Sequence, residues 1–195
     1  MPEQDVALAG GRLLVATPLI TEPAFFRSVV LLLQAGGDDG AIGVVLDRPS
    51  EVEVERVLPG WDPLLAPPSL VFDGGPVQPQ AAIGLAQLRP GVTEHDGLAV
   101  LPVDRPGPRW ATVDLDRDAD EVAAAVARLR VFAGYAGWSA GQLEGEVDEG
   151  AWWVLDALPD DPYRPATGAL WRAVLRRQGV PLALAATLPE DPALN

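Results

Sequence analysis

Short apolar runs punctuated by glycine and proline dominate the first half of the chain. Arg12 to Ala16 is such a run, stopped by Thr17-Pro18, and predicts a strand with its breaker. Thr21-Glu22-Pro23 carries a helix-start signal, with Thr21 as cap and an acidic residue in the first turn. That helix must be short, because Val29 to Leu33 is apolar and β-branched at its start, the pattern of a strand buried on both faces. The turn cluster Gly36 to Gly40 and the apolar run Ala41 to Leu46 then predict a hairpin, ended by Pro49. Ser50 with Glu53 three residues on reads as a capping box, opening one or two helical turns through Val54, Val57 and Leu58. Trp61 to Ser69 is proline-rich and irregular. Leu70 to Phe72 predicts a strand running into Asp73-Gly74-Gly75-Pro76, with Ala81 to Leu88 as its return. Gly97 to Val103 and Trp110 to Val113 are two further strands around the turn-rich Asp104 to Pro108.

From Asp118 the period changes. Val122, Ala125, Val126 and Leu129 fall on one helical face, with Asp118 as cap and Asp120 and Glu121 at the positive end. Phe132 to Glu144 then reads as the central element: a buried strand ending near Trp138 and turning sharply into a helix that begins at Ser139, with Gln142 completing a capping box. Gly150 releases a strand at Ala151 to Leu155, and Asp160-Asp161-Pro162 turns the chain. Thr167 caps a final helix through Gln178, with Leu170, Trp171, Val174 and Leu175 inward and Gly179 as its stop. The expected organisation is a flexible lead over 1–11, one domain over 12–188 and a flexible tail over 189–195. Strands first, then strands alternating with helices, predict a mixed sheet of α+β character.

Composition narrows the chemistry. The balance of 14 Arg and no Lys against 28 Asp plus Glu gives a formal net charge of −14 over 195 residues. Such a field repels phosphate backbones and anionic lipid, so direct DNA binding is not expected. The missing lysine removes Schiff-base chemistry and a Walker-type phosphate lysine; the missing cysteine removes thiol nucleophiles, disulfides and Cys-based metal sites. Met1 to Ala9 carries Glu3 and Asp5 rather than a basic start, and no apolar run approaches a membrane span, so a cytoplasmic protein away from the membrane is expected.

The residues that carry chemistry read first as structural. His95, the one histidine, lies between Glu94 and Asp96 without a second imidazole at ligand spacing, and is expected as a solvated loop residue. Ser28, Ser50, Ser69 and Ser139 lack a Gly-x-Ser-x-Gly setting, and Ser50 and Ser139 are better explained as caps. Asp73-Gly74-Gly75-Pro76 is either a tight turn or a nest of backbone N–H groups for an anion. Arg27, next to Ser28 at a buried strand, needs carboxylate or carbonyl partners, and Glu144 is suitable in charge. The functional alternative puts Arg27, Gln142 and Glu144 in one polar pocket. In Trp152-Trp153, one ring should serve the core while the other is exposed or meets a partner. Glu144, Glu146, Asp148 and Glu149 read as a solvated helix end ahead of a divalent-cation site.

Several pieces together resemble the AlgH/YqgE family of bacterial proteins. The carriers are Arg12 to Pro18, Pro23 to Phe26 with Arg27 to Val30, Gly40 to Leu46, Gly74 to Val77, Tyr135 to Trp138 with Gly141 to Glu144, and Leu170-Trp171, in that order. The resemblance implies an α+β fold whose mixed sheet is partly curled into a barrel with flanking helices. It implies little about activity; one member is described as a transcriptional regulator of exopolysaccharide synthesis, although the family shows no recognisable DNA-reading motif. The chain departs from the family pattern at Gln34-Ala35-Gly36, where relatives often carry a histidine. It departs again at Asp47, where Asn is usual, and at Ile83-Gly84-Leu85, where a Leu-His pair is common. The resulting expectation is a non-catalytic ligand-binding, protein-binding or regulatory module, with no metal, no cofactor and self-association open. Its ligand-binding candidates are Arg27, Ser28, Gly74, Gly75, Tyr135, Trp138, Gln142 and Glu144. The alternative is a small-molecule hydrolase or transferase with a polar pocket near Arg27, Gly74 and Glu144.

Overall fold

The computed structural model describes residues 7–36, 38–103, 109–165 and 169–189. Among the described residues ten strands form the sheet: β1 (Arg12–Ala16), β2 (Val29–Ala35), β3 (Ala41–Val45), β4 (Pro49–Glu53), β5 (Leu70–Asp73), β6 (Val77–Leu88), β7 (Leu98–Val100), β8 (Trp110–Val113), β9 (Val126–Trp138) and β10 (Trp152–Asp156). The helices are short: α1 (Ala119–Val122), α2 (Gln142–Asp148), α3 (Leu170–Arg176) and α4 (Leu182–Ala185).

The long strand β9 organises the sheet. One edge pairs antiparallel with β6; the other pairs parallel with β5 through Val71↔Val131 to Asp73↔Ala133, then antiparallel with β3 through Ala41↔Trp138 to Gly43↔Ala136. The main path runs β10-β1-β2-β3-β9-β6-β8-β7, and β4 attaches through β5. The path curls until its ends approach: Gly10, just before β1, bridges Val103, just after β7. A Cβ on Gly10 would lie 2.7 Å from the Pro102 carbonyl and 2.9 Å from that of Leu33, so only glycine fits this seam. The expected α+β half-barrel, one parallel pair in an otherwise antiparallel sheet, is the fold observed.

Both faces of the curled sheet are covered. Along β2, Val29, Leu31 and Leu33 point to the inner core with Phe72, Leu85, Trp110 and Phe132, which Tyr163, Trp171, Val174 and Leu175 close. Val30 and Leu32 alternate to the opposite face, under α2 and the turn bearing Phe25. A third cluster lies under α1 and two 3₁₀ turns, with Val54, Trp61, Val122, Leu129 and Val131. The three apolar layers explain why the first strands read as continuous apolar runs.

Several sequence expectations are corrected. The helix expected through Leu129 is the single turn α1; Val126 and Leu129 belong to β9, where Arg128 and Arg130 alternate with Leu129 and Val131 across the sheet. One helical turn has too few hydrogen bonds to hold itself, whereas Val126 to Leu129 join the antiparallel ladder with β6, and Leu129 also bridges Leu65. The helix expected at Thr21 is only a turn, closed by the Phe25 and Phe26 N–H groups donating to the Glu22 carbonyl. Ser50 is no helix cap: it sits in β4, donates to the Val71 carbonyl at 2.8 Å and accepts the Val52 N–H. Ala81 to Leu88 does not return against β5, because β9 lies between them. The helix after Trp138 begins at Gln142 rather than Ser139, behind Gly141 at φ 74°, although the Gln142 side chain does accept the Ser139 N–H at 3.1 Å. Thr167, Asp104 to Pro108, Met1 to Val6 and Glu190 to Asn195 lie outside the described residues.

Candidate functional site

The eight expected ligand residues do not share one pocket. Trp138 packs against Phe25 and Trp152 with ring centroids 6.3 and 6.0 Å away, and Phe25 meets Trp152 at 5.7 Å. The three rings touch one another and leave no room for a guest cation between them. Their polar edges converge on Glu146, whose Oε2 accepts the indole N–H of Trp138 at 2.9 Å and of Trp152 at 2.8 Å. Its Oε1 accepts the Gln142 amide at 2.9 Å. Glu146, read from the sequence as part of a solvated acidic end, is thus the half-buried anchor of this face. Gln142 serves it and Ser139, and Glu144 is exposed on α2. Trp153 is half-buried against the inner core, so both tryptophans of the pair serve packing.

Gly74 and Gly75 are a contact between backbones. A Cβ on Gly74 would lie 2.3 Å from the Gly134 carbonyl, and one on Gly75 2.4 Å from the Tyr135 carbonyl carbon. The Gly74 N–H donates to Ala133 at 2.8 Å and the Gly75 N–H to Asp73 Oδ1 at 3.1 Å, which leaves neither for an anion. Tyr135 takes part through its register with Val77 and its half-buried ring. Arg27, in the left-handed region at φ 51°, donates to the carbonyls of Leu188 and Pro189 and lies 4.9 Å from the Trp171 ring. Its partners therefore include carbonyls, one of the two classes expected, near the end of the described chain. Ser28 is buried, and its Oγ has no partner among the described residues.

Sequence reasoning missed the buried charges Arg130 and Asp161, the latter 1% exposed and paired with Arg177, and the half-buried Asp47. Arg130, only 2% exposed, donates to the carbonyls of Pro67, Pro162, Tyr163 and Arg164 and lies 4.1 Å from the Phe72 ring. Burial lowers its pKa to about 10, against a raising effect of Tyr163 and with a further lowering by Arg128. Asp47, at the exit of β3, is pushed up to about 6 by burial, which outweighs Arg48 and its own backbone N–H. His95 is a loop residue with Nδ1 2.6 Å from the Asp96 carbonyl. No group of three or more potential metal ligands occurs among the described residues.

An open cleft lies elsewhere, at the mouth of the half-barrel. It measures about 390 Å³ and is lined by the end of the β2–β3 hairpin (Leu33, Gln34, Ile42) and by β6 (Ala82 to Gly84). Residues 99–102, from β7 onward, and 112–113 of β8 complete the lining. Leu33, Ile42, Ile83 and Leu101 are continuous with the inner core, so the cleft opens onto it. Gln34 and Thr112 supply side-chain polar groups, and no ionisable side chain lines it. Two of the places where this chain departs from the family pattern, Gln34 and Ile83-Gly84, meet here. Their separation in sequence hid the cleft, and the departures were the one signal that pointed to it.

An α+β half-barrel with an apolar mouth is the class of protein that this fold and cleft define. The AlgH-like family profile matches residues 13–183, and the chain belongs to that family. It is 48% identical over 191 residues to a UPF0301 protein of Streptomyces avermitilis, covering 98% of this chain and 97% of the relative. It is 47% identical over 189 residues to one of Thermobifida fusca, covering 95% and 94%. Among solved structures it resembles the crystal structure of a Corynebacterium diphtheriae protein, with a TM-score of 0.84, 35% identity and 93% of each chain covered. It also resembles the solution structure of the AlgH protein from Pseudomonas aeruginosa, with a TM-score of 0.66, 26% identity and coverage of 98% and 100%.

Proposed function

We propose that the protein is a non-catalytic binding module that receives an uncharged, largely apolar small molecule in the mouth of the half-barrel. One observation carries the reading: the cleft of about 390 Å³ continues the apolar core and has the Gln34 amide and Thr112 hydroxyl as its side-chain polar groups. That volume falls within the range of small-ligand sites, and barrel mouths are common places for them. The hydrolase or transferase alternative finds less support, because Gly74 and Gly75 have used their N–H groups and Glu144 is exposed. We take the binder to be cytosolic and to act through this ligand or a protein partner, a second copy included. No helix among the described residues is long and apolar enough to cross a membrane. A regulatory role would then run through the ligand or partner. Arg12, Arg27 and Arg48 are engaged within the chain, and the net charge of −14 opposes contact with DNA.

The test is ligand screening by NMR on the full chain and on Ala82→Trp, which fills the exposed rim of the cleft. Uncharged apolar compounds should shift the Ile42, Ile83 and Leu101 methyls of the parent and leave the variant unchanged. Saturable binding that survives Ala82→Trp, or turnover of a bound compound, overturns the reading.

A further inference from the structure

The wall of the cleft contains an unpaired stretch of strand edge. In the β7–β8 ladder Ala99 stands opposite Thr112, and the Leu101 N–H donates to the Trp110 carbonyl at 2.8 Å. Beyond them the Asp114 N–H donates to the Gly97 carbonyl at 2.9 Å. Residues 97, 99 and 101 therefore aim their backbone groups at β8. The alternation of an antiparallel ladder turns those of Leu98 and Val100 the other way, off the free edge of β7. That edge is closed at both ends: the His95 carbonyl accepts the Leu98 N–H at 3.1 Å, and Gly10 bridges Val103. Between these closures the Val100 N–H and C=O have no hydrogen-bond partner among the described residues, and Val100 lines the cleft. A free donor and a free acceptor on one residue of a strand edge are a template for a further strand. Ala99 and Leu101, whose side chains alternate to the face opposite that of Val100, line the cleft with Leu33, Ile42 and Ile83.

On the reading of the cleft as the binding site, we infer that its ligand is a short, extended, uncharged peptide that pairs with Val100 on the free edge of β7. The central residue of the ligand donates its N–H to the Val100 carbonyl and accepts the Val100 N–H, as a hydrogen-bonded antiparallel pair does. Its two neighbours then face the same side as Ala99 and Leu101, toward Ile42 and Ile83, so apolar side chains suit both places. Main-chain bonds of this kind hold a peptide whatever its sequence, and pockets for alternate side chains select it. No ionisable side chain lines the cleft to pair with a charged one.

The test is NMR titration of the full chain with acetyl-Leu-Ala-Leu methylamide and with the same compound N-methylated at its alanine, which lacks the central N–H. The unmodified compound should shift the Ile42, Ile83 and Leu101 methyls, move the Val100 amide proton downfield and slow its exchange. The Ala99 and Leu101 amides, already paired with β8, should keep their exchange rates. The N-methylated compound should bind about two- to tenfold more weakly, the range for one lost hydrogen bond. Val100→Pro removes the outward N–H at an edge position where proline leaves the β8 ladder intact, and should weaken the unmodified compound by about the same factor. Binding without change at the Val100 amide, equal affinity for the two compounds, or undiminished binding to Val100→Pro overturns the edge pairing and leaves the cleft as an apolar site. So do methyl shifts caused by uncharged hydrocarbons or ketones when the peptide does not bind. If none of these compounds moves the methyls, the cleft reading falls as well. The Val100 amide of the parent decides the matter even if Val100→Pro does not fold.

Discussion

Asp47 shows how one methylene-linked carboxyl can set the pH response of a fold. Its pKa rises from 3.8 to about 6 on folding, so the folded chain binds the proton more tightly than the unfolded one. Stability is therefore greatest below about pH 4 as far as this group is concerned, and declines as pH rises through 6. Asp47→Asn should leave stability near pH 4 little changed and raise it by about 3 kcal/mol at pH 8, seen by denaturant unfolding at both pH values. Glu146 gives the opposite kind of prediction. Glu146→Ala strands two buried indole N–H groups and should cost about 2–4 kcal/mol, with a shift in tryptophan emission as Trp138 and Trp152 gain water. Neither role could be read from the residues alone. An acidic side chain on a short helix is normally solvated, and the second indole reaches Glu146 from another strand.

At the scale of elements, the glycine contacts and the end of α3 matter most. Gly74→Ala forces a Cβ against the Gly134 carbonyl, and the parallel β5–β9 register must shift to admit it. The expected cost is about 3 kcal/mol or more, read as a lowered denaturation midpoint. The turn at Asp161–Tyr163 is tied to the end of α3 by Arg177, whose two Nη atoms each lie 2.7 Å from an oxygen of the buried Asp161 carboxylate. Asp161→Ala removes the carboxylate from that guanidinium, which keeps only the Asp156 carbonyl at 2.8 Å among the contacts described, and should cost about 3 kcal/mol, with α3 losing exchange protection first. Strand identity was legible here wherever an apolar run was bounded by glycine or proline, as in β1, β2 and β3. It failed at Val126 to Leu129, where a three-residue spacing imitated a helix and alternation with Arg128 and Arg130 was the truer pattern.

At the scale of the whole molecule, the acidic balance and the open mouth set what the protein can meet. At about 0.15 M salt the full chain should show no retention of duplex DNA in a gel shift, because 28 acidic against 14 basic residues leave a repulsive field. Submicromolar DNA binding would show a basic surface that this charge balance does not suggest. The curled sheet joins distant segments: Gly10 meets Val103, and Leu33, Ile83 and Leu101 share one cleft. No stretch of sequence contains that cleft, whereas Ala136, Trp138 and Leu143 of the motif-dense stretch Tyr135 to Glu144 pack on the opposite face.

The order of apolar runs and breakers, the charge, and the glycines at backbone crossings were determined by the sequence itself. Each depends on local sterics or on composition, which need no partner to act. The partners of β9, the burial of Asp161 and Arg130, the surroundings of Asp47 and Glu146, and the mouth of the half-barrel were decided only by the tertiary structure. They depend on which strands meet across long separations, and a carboxylate or guanidinium takes its properties from neighbours that the chain alone does not name.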